Sequence, residues 1–155
     1  MKKIMFVCHG NICRSPMAEF IMKDIIKKNH KEDDYFIASS AISTEEIFMG
    51  RGNPIYPPAK EVLRRNNIPF TEHYATLLKS DDYGKYDLII AMDSYNVRGI
   101  MYIIKEDKLH KVHKLLEYDD SFNDVSDPWY TRDFDRAFSD IKRGCIALFS
   151  YLERK

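Results

Sequence analysis

Along the 155 residues, short continuous apolar runs alternate with stretches in which apolar positions recur every three to four residues. Residues 3–7 (KIMFV) form one such run, the signature of a short strand buried on both faces. Ser15-Pro16 then predicts a helix start, with serine as N-cap and proline in the first turn. Met17, Phe20, Ile21, Met22, Ile25 and Ile26 continue it as an apolar stripe at helical spacing, up to the charged NHKEDD turn. Residues 35–39 read as a second short strand, which completes a β-α-β unit. A long loop containing MGRGNPIYPP precedes a helix over about residues 59–66. Residues 87–92 (DLIIAM) are the clearest buried strand in the chain, and Ser94 is placed to cap the helix after it. A fourth strand is predicted over residues 112–118, then a polar loop over 119–131 and a final amphipathic helix over 134–152.

This alternation predicts an α/β fold in one domain spanning 1–155: a four-stranded parallel sheet with helices on both faces. A chain of this length buries roughly 70% of its surface on folding, enough for one core. No internal repeat, low-complexity tract or linker interrupts it. In such sheets ligands bind beyond the carboxyl ends of the strands, and the loop after the first strand lies at such an end.

Composition narrows the partners. With 24 basic and 24 acidic side chains the formal charge is zero, so no global field favours nucleic acid or an anionic membrane surface. The apolar stretch near the N-terminus is too short for a signal-peptide core, and no segment reaches the ~20 apolar residues of a membrane span. Three cysteines are too few and too odd for a disulfide framework, which predicts reduced thiols in the cytoplasm. No Cys/His spacing suggests a metal, and no cofactor motif is present: neither GxxxxGK[ST] nor GxGxxG occurs.

The chemistry concentrates in VCHGNICRSP at residues 7–16. Between a strand ending near Val7 and a helix starting near Ser15, the backbone N–H groups of Cys8, His9, Gly10, Asn11, Ile12, Cys13 and Arg14 can turn inward to form an anion nest. The helix N-terminus adds further donors and the positive end of its dipole. Gly10 is expected to provide backbone freedom, and Arg14 a planar fork for two oxygens of a phosphate. A cysteine in such a field is favoured as a thiolate, and Cys8 is then aimed at whatever anion the loop holds. That is the layout of a nucleophilic phosphatase working through a phosphocysteine. Taken alone, a cysteine at a strand end is more often a small buried hydrophobe; the combination of elements points to chemistry. Transfer from a phenolic oxygen also needs an acid, and Asp127 in DVSDPWYTRDF is the candidate, although Asp-Pro by itself only makes a turn.

CHGNICRS at 8–15 followed by PMAEF, together with DPWY at 127–130, closely resembles the low-molecular-weight protein tyrosine phosphatase family over nearly the whole chain. The resemblance implies the same four-stranded sheet, with Cys8 as nucleophile, Arg14 as phosphate and transition-state ligand, and Asp127 as general acid and then base. It further implies Asn11 as the loop's brace, helped by Ser39 and His73, Ser15 as a hydroxyl bonded to the thiolate, and Trp129 and Tyr130 as walls against a substrate ring. Phosphotyrosine proteins or peptides are the implied partners, with inorganic phosphate as product.

There are departures. His9 occupies a variable position. STEEIFMGRGNP is about four residues longer than usual, with Glu45 where an aromatic is often found and Phe48 as a substitute. Arg132 stands where relatives often have glycine. Ile12 is expected to project beside the bound anion, where phosphoarginine phosphatases of the family look to carry threonine. An arsenate reductase needs further relay cysteines, which residues 70–100 lack. A phosphate-binding module without turnover would be expected to lack the nucleophile or the acid. Cys13 is placed either to trap an oxidised Cys8 as a disulfide or to pack beneath the loop.

Overall fold

The computed structural model describes residues 1–154. Its elements are β1 (Lys2–Cys8), α1 (Arg14–Lys28), β2 (Tyr35–Ala41), β3 (Ile47–Phe48), β4 (Arg51–Gly52), α2 (Pro57–Arg65), α3 (Asp82–Lys85), β5 (Leu88–Ala91), α4 (Ser94–Ile104), β6 (Val112–Lys114), α5 (Pro128–Thr131) and α6 (Phe134–Glu153). The main sheet is parallel in the order β2-β1-β5-β6. β1 pairs with β2 from Lys2↔Tyr35 to Cys8↔Ala41, and with β5 from Ile4↔Leu88 to Val7↔Ala91.

This order explains the two-sided cover. From the β1/β5 boundary, one β-α-β crossover runs outward to β2 and the other to β6. Right-handed crossovers leaving in opposite directions put α1 and α4 on opposite faces. The period of two along β1 follows: Ile4, Phe6 and Cys8 join the core formed with α1, α2 and α6, while Met5 and Val7 join Ile89, Ala91 and Ile100 beneath α4. That boundary is a topological switch point, and the loops after β1 and β5 meet there.

Several expectations are corrected. Ser15 does not cap α1: the cap position is Cys13, without a side-chain cap bond, and the Ser15 hydroxyl turns instead to Cys8. Ser94 does not cap α4; Asp93 does, accepting from Asn96 N at 2.7 Å. The fourth strand stops at Lys114, because Leu115–Glu117 forms a 3₁₀ turn that drives Leu115 and Leu116 into the core. The long loop after β2 contains the β3–β4 hairpin, and the polar loop contains the single turn α5. Gly52 in that hairpin is held against the backbone of Ala75, where a Cβ would come within 1.9 Å of the carbonyl oxygen. Among the described residues no helix is long and apolar enough to cross a membrane.

Candidate active site

Cys8 ends β1 with its side chain 3% exposed, and three donors surround its sulfur. Asn11 N lies at 3.3 Å, Ser15 N at 3.4 Å and Ser15 Oγ at 3.0 Å. Ser15 Oγ already accepts from Asn11 Nδ2 at 2.8 Å, which leaves its proton free to face the sulfur. This geometry suits an anionic sulfur.

Gly10 is not used as expected. It has no positive φ; its missing side chain makes room for Glu46, whose Cγ would stand 3.0 Å from a Cβ there. The left-handed position is Asn11, at φ 60. Such a conformation costs about 1–2 kcal/mol. Against it stand the bonds of the Asn11 side chain: Nδ2 to Ser15 Oγ (2.8 Å) and Ser39 Oγ (3.0 Å), and Oδ1 from His73 Nε2 (3.1 Å) and Thr76 N (3.1 Å). At about 0.5–1.5 kcal/mol net for each bond, the brace outweighs the strain. The amide oxygen only accepts, so His73 carries its proton on Nε2. Burial lowers the pKa of His73, with the charge of Glu19 opposing. Ser39 passes the network on by donating to Glu19 Oε1 at 2.6 Å, and Lys23 Nζ meets Glu19 Oε2 at 2.6 Å.

Arg14 is 3% exposed. Its Nη1 donates to Asp93 Oδ2 (2.7 Å) and to the Val125 carbonyl (2.9 Å), and Nη2 reaches Asp127 Oδ2 at 3.4 Å. Burial works against the guanidinium charge, but Cys8, Asp93 and Asp127 hold its pKa above the ordinary arginine value. With Nη1 occupied, the Nε–Nη2 edge remains to fork onto two oxygens. Asp127 also caps α5, its Oδ1 accepting from Trp129 N at 3.0 Å.

The structure therefore brings Cys8, Asn11, Ser15, Ser39, His73, Arg14 and Asp127 together. The aromatic side chains near the loop pack on one another. Trp129 packs its ring 5.7 Å from Tyr56, which in turn lies 6.0 Å from Phe134; Tyr130 is 82% exposed. Ile12 does not stand free beside the loop. It is nearly buried and packs with Cys13 and Ala75 against Tyr56, Ile47 and Phe134. His9 pairs with Glu45 at 2.9 Å, and Phe48 is exposed at the hairpin tip. Arg132 has φ 62 at the C-cap of α5, a left-handed position in which glycine would carry no Cβ strain. Cys145 is buried on α6, its thiol 3.8 Å from the Ala18 carbonyl, and burial pushes its pKa up; it is no relay cysteine.

Sequence reasoning missed Asp93, Glu19, Tyr56 and Thr76. An aspartate directly after the 87–92 apolar run, at a strand's carboxyl end, was the available signal for Asp93. A glutamate among the apolar residues of helix 15–26 was the signal for Glu19.

A thiol-bearing anion loop at the switch point of a four-stranded parallel sheet, faced by an Asp-Pro turn, defines the class of small α/β phosphatases. The sequence model described as low molecular weight phosphotyrosine protein phosphatase matches residues 3–155, and the chain belongs to that family. It is similar to the low molecular weight protein-tyrosine-phosphatase YfkJ of Bacillus subtilis (strain 168), 35% identical over 157 residues, covering 100% of this chain and 98% of the relative. It is also similar to PtpA of Staphylococcus haemolyticus, of the same description, at 36% identity with 98% and 94% covered. The crystal structure of YfkJ from Bacillus subtilis superposes with a TM-score of 0.92 over 99% of this chain and 96% of that one, at 35% identity. The crystal structure of DARP, drosophila arginine phosphatase, shares the fold (TM-score 0.84, 98% of each chain) at 23% identity. The protein is accordingly an enzyme of the protein-tyrosine-phosphatase class.

Proposed function

We propose that the protein hydrolyses phosphotyrosine in proteins or peptides, and small aryl phosphates, through a phosphocysteine on Cys8. The observation that carries this reading is the convergence of three donors on Cys8 Sγ within a loop whose arginine also contacts Asp127. The phosphate dianion occupies the loop, bound by backbone N–H groups and the Arg14 fork. The sulfur attacks phosphorus as the ester P–O bond breaks, and Asp127 donates its proton to the departing phenolate. The resulting carboxylate then takes a proton from water, which attacks the phosphocysteine and releases inorganic phosphate.

The choice of phosphorylated residue follows from the wall. Trp129, 52% exposed and backed by Tyr56, offers an aromatic face for a phenyl ring to stack on, worth about 0.5–1.5 kcal/mol beyond area burial, while Ile12, nearly buried, supplies no hydrogen bond to a guanidinium. Phosphotyrosine peptides are therefore expected to show far higher kcat/KM than matched phosphoserine, phosphothreonine or phosphoarginine peptides. Ile12→Thr is expected to shift the balance toward phosphoarginine. A wild-type preference for phosphoarginine would overturn the substrate assignment and favour the phosphoarginine alternative.

Cys13 adds a redox expectation. Peroxide converts the Cys8 thiolate to a sulfenic acid; the Cys13 thiol, losing its proton, then displaces the sulfenic oxygen as water and closes a disulfide. Burial, with Cys8 and Asp127 adding to it, pushes the Cys13 pKa up, so this thiol is protonated until it is called on. Peroxide-treated wild type is expected to regain activity with dithiothreitol, and Cys13→Ser to regain much less. Equal recovery in the two would leave Cys13 as a packing residue only.

A further inference from the structure

The segment that delivers Asp127 does not follow a path the chain would choose by itself. Asp120 and Phe122 both have positive φ, 64 and 56. Aspartate tolerates that region, but a bulky phenylalanine does not, and such a residue persists only where its surroundings over-determine it. Phe122 is 60% exposed, so packing of its ring is not what holds it.

Its backbone is held from both sides: Phe122 N donates to the Leu116 carbonyl at 2.9 Å, and its carbonyl is taken by the last residue of β6. The Lys114 ammonium donates to three acceptors: the Phe122 carbonyl at 3.0 Å, Asp124 Oδ1 at 2.9 Å and Ser94 Oγ at 3.3 Å. Asp124 Oδ1 in turn accepts from Ser94 N at 3.1 Å and Ser94 Oγ at 3.3 Å, so it is bound to the first turn of α4. Burial alone would raise the Asp124 pKa, but the bonds and charge of Lys114, with Ser94, hold it below the ordinary carboxylate range. One residue further on, Val125 N donates to the Met92 carbonyl at 2.9 Å, and the Val125 carbonyl receives Arg14. Three residues after Asp124 comes Asp127.

From this geometry we infer that Lys114 is a positioning residue for the general acid: its clamp on Phe122, Asp124 and Ser94 sets the register in which the 122–127 segment presents Asp127 to the leaving group. The inference rests on the reading of Asp127 given above and names what holds it. Lys114 lies outside the phosphate loop, at a strand end, and its ammonium is directed to Ser94, Phe122 and Asp124 and not to Cys8 or Arg14. Its side chain is 19% exposed, so the three bonds are partly shielded from water. Asp124, at 50% exposed, is the more solvated partner. The clamp therefore owes more to converging geometry than to charge alone.

The test uses kcat/KM, which reports steps up to transfer onto Cys8, across aryl phosphates whose leaving groups span a wide range of acidity. Lys114→Met keeps the aliphatic stem and removes the donors. It is expected to lower kcat/KM on the order of tenfold for the most basic leaving groups, the effect of a slightly misplaced acid. The loss should fade for the most acidic leaving groups. Lys114→Arg should restore most of it, and Asp124→Asn should reproduce the same pattern from the other side of the clamp. In an Asp127→Asn background Lys114→Met should add no further leaving-group dependence. Trp129, the chain's single tryptophan, gives a readout independent of turnover: acrylamide should quench its fluorescence more readily once the clamp is cut. A loss uniform across leaving groups, a dependence that persists without Asp127, or unchanged quenching of Trp129 would each overturn the positioning role. Should Asp127→Asn alone lose activity uniformly while the quenching change remains, it is the general-acid reading that fails, and the clamp is left as a purely structural device.

Discussion

Cys8→Ser is expected to abolish turnover of p-nitrophenyl phosphate and phosphotyrosine peptides, by on the order of 10⁴-fold or more, while the fold and the binding of phosphate survive. The serine hydroxyl occupies nearly the same volume and can still accept from Asn11 N and Ser15 N, which lie 3.3 and 3.4 Å from the sulfur it replaces. The nest and the Arg14 fork are untouched, so inorganic phosphate should still bind, as titration calorimetry would show. What disappears is the thiolate, and with it the covalent intermediate. Residual activity above a few per cent of wild type would remove Cys8 from the nucleophile's role. Arg14→Lys should also be severely impaired although the charge is kept. A single ammonium cannot serve Asp93, the Val125 carbonyl and two phosphate oxygens together. It would leave buried acceptors unpaired at about 1–3 kcal/mol each.

Asp127→Asn is expected to lower kcat/KM for aryl phosphates with basic leaving groups by on the order of 10²–10⁴, the range for loss of one general acid. The carboxyl is held from two sides, by Trp129 N on Oδ1 at 3.0 Å and by Arg14 Nη2 on Oδ2 at the longer distance of 3.4 Å. The longer contact is the one to yield when phosphate claims the guanidinium edge, freeing Oδ2 for the leaving oxygen. Asparagine preserves the cap on α5 through its carbonyl but has no proton to give. The loss should shrink steadily as the leaving group becomes more acidic and needs less protonation. An identical loss across leaving groups of very different acidity would show that Asp127 has another task.

These two predictions rest on residues of different legibility. Cys8, Asn11, Arg14 and Ser15 lie within eight positions, on a loop bounded by an unmistakable apolar strand and a Ser-Pro helix start, so most of their geometry is local. Even there the sequence misassigned two roles. Gly10 was credited with backbone freedom that Asn11 uses, because nothing local reveals that Glu46 lies against Gly10. Local spacing reads Ser15 as a cap, whereas its hydroxyl lies 3.0 Å from the Cys8 sulfur, the partner that the family resemblance implies.

The strand and helix order, the phosphate loop and the Asp-Pro turn were thus set by the sequence itself, since apolar periodicity and turn chemistry act over a few residues. Tertiary structure alone decided which distant groups complete the site. Asp93 reaches Arg14 across 79 positions because β5 lies beside β1. Asp127 reaches it across 113, through a segment of strained backbone that Lys114, at the end of the edge strand β6, pins in place. No periodicity encodes strand order; it is settled by crossover handedness and by which apolar faces bury one another, so the partners it brings together become visible only in the folded chain.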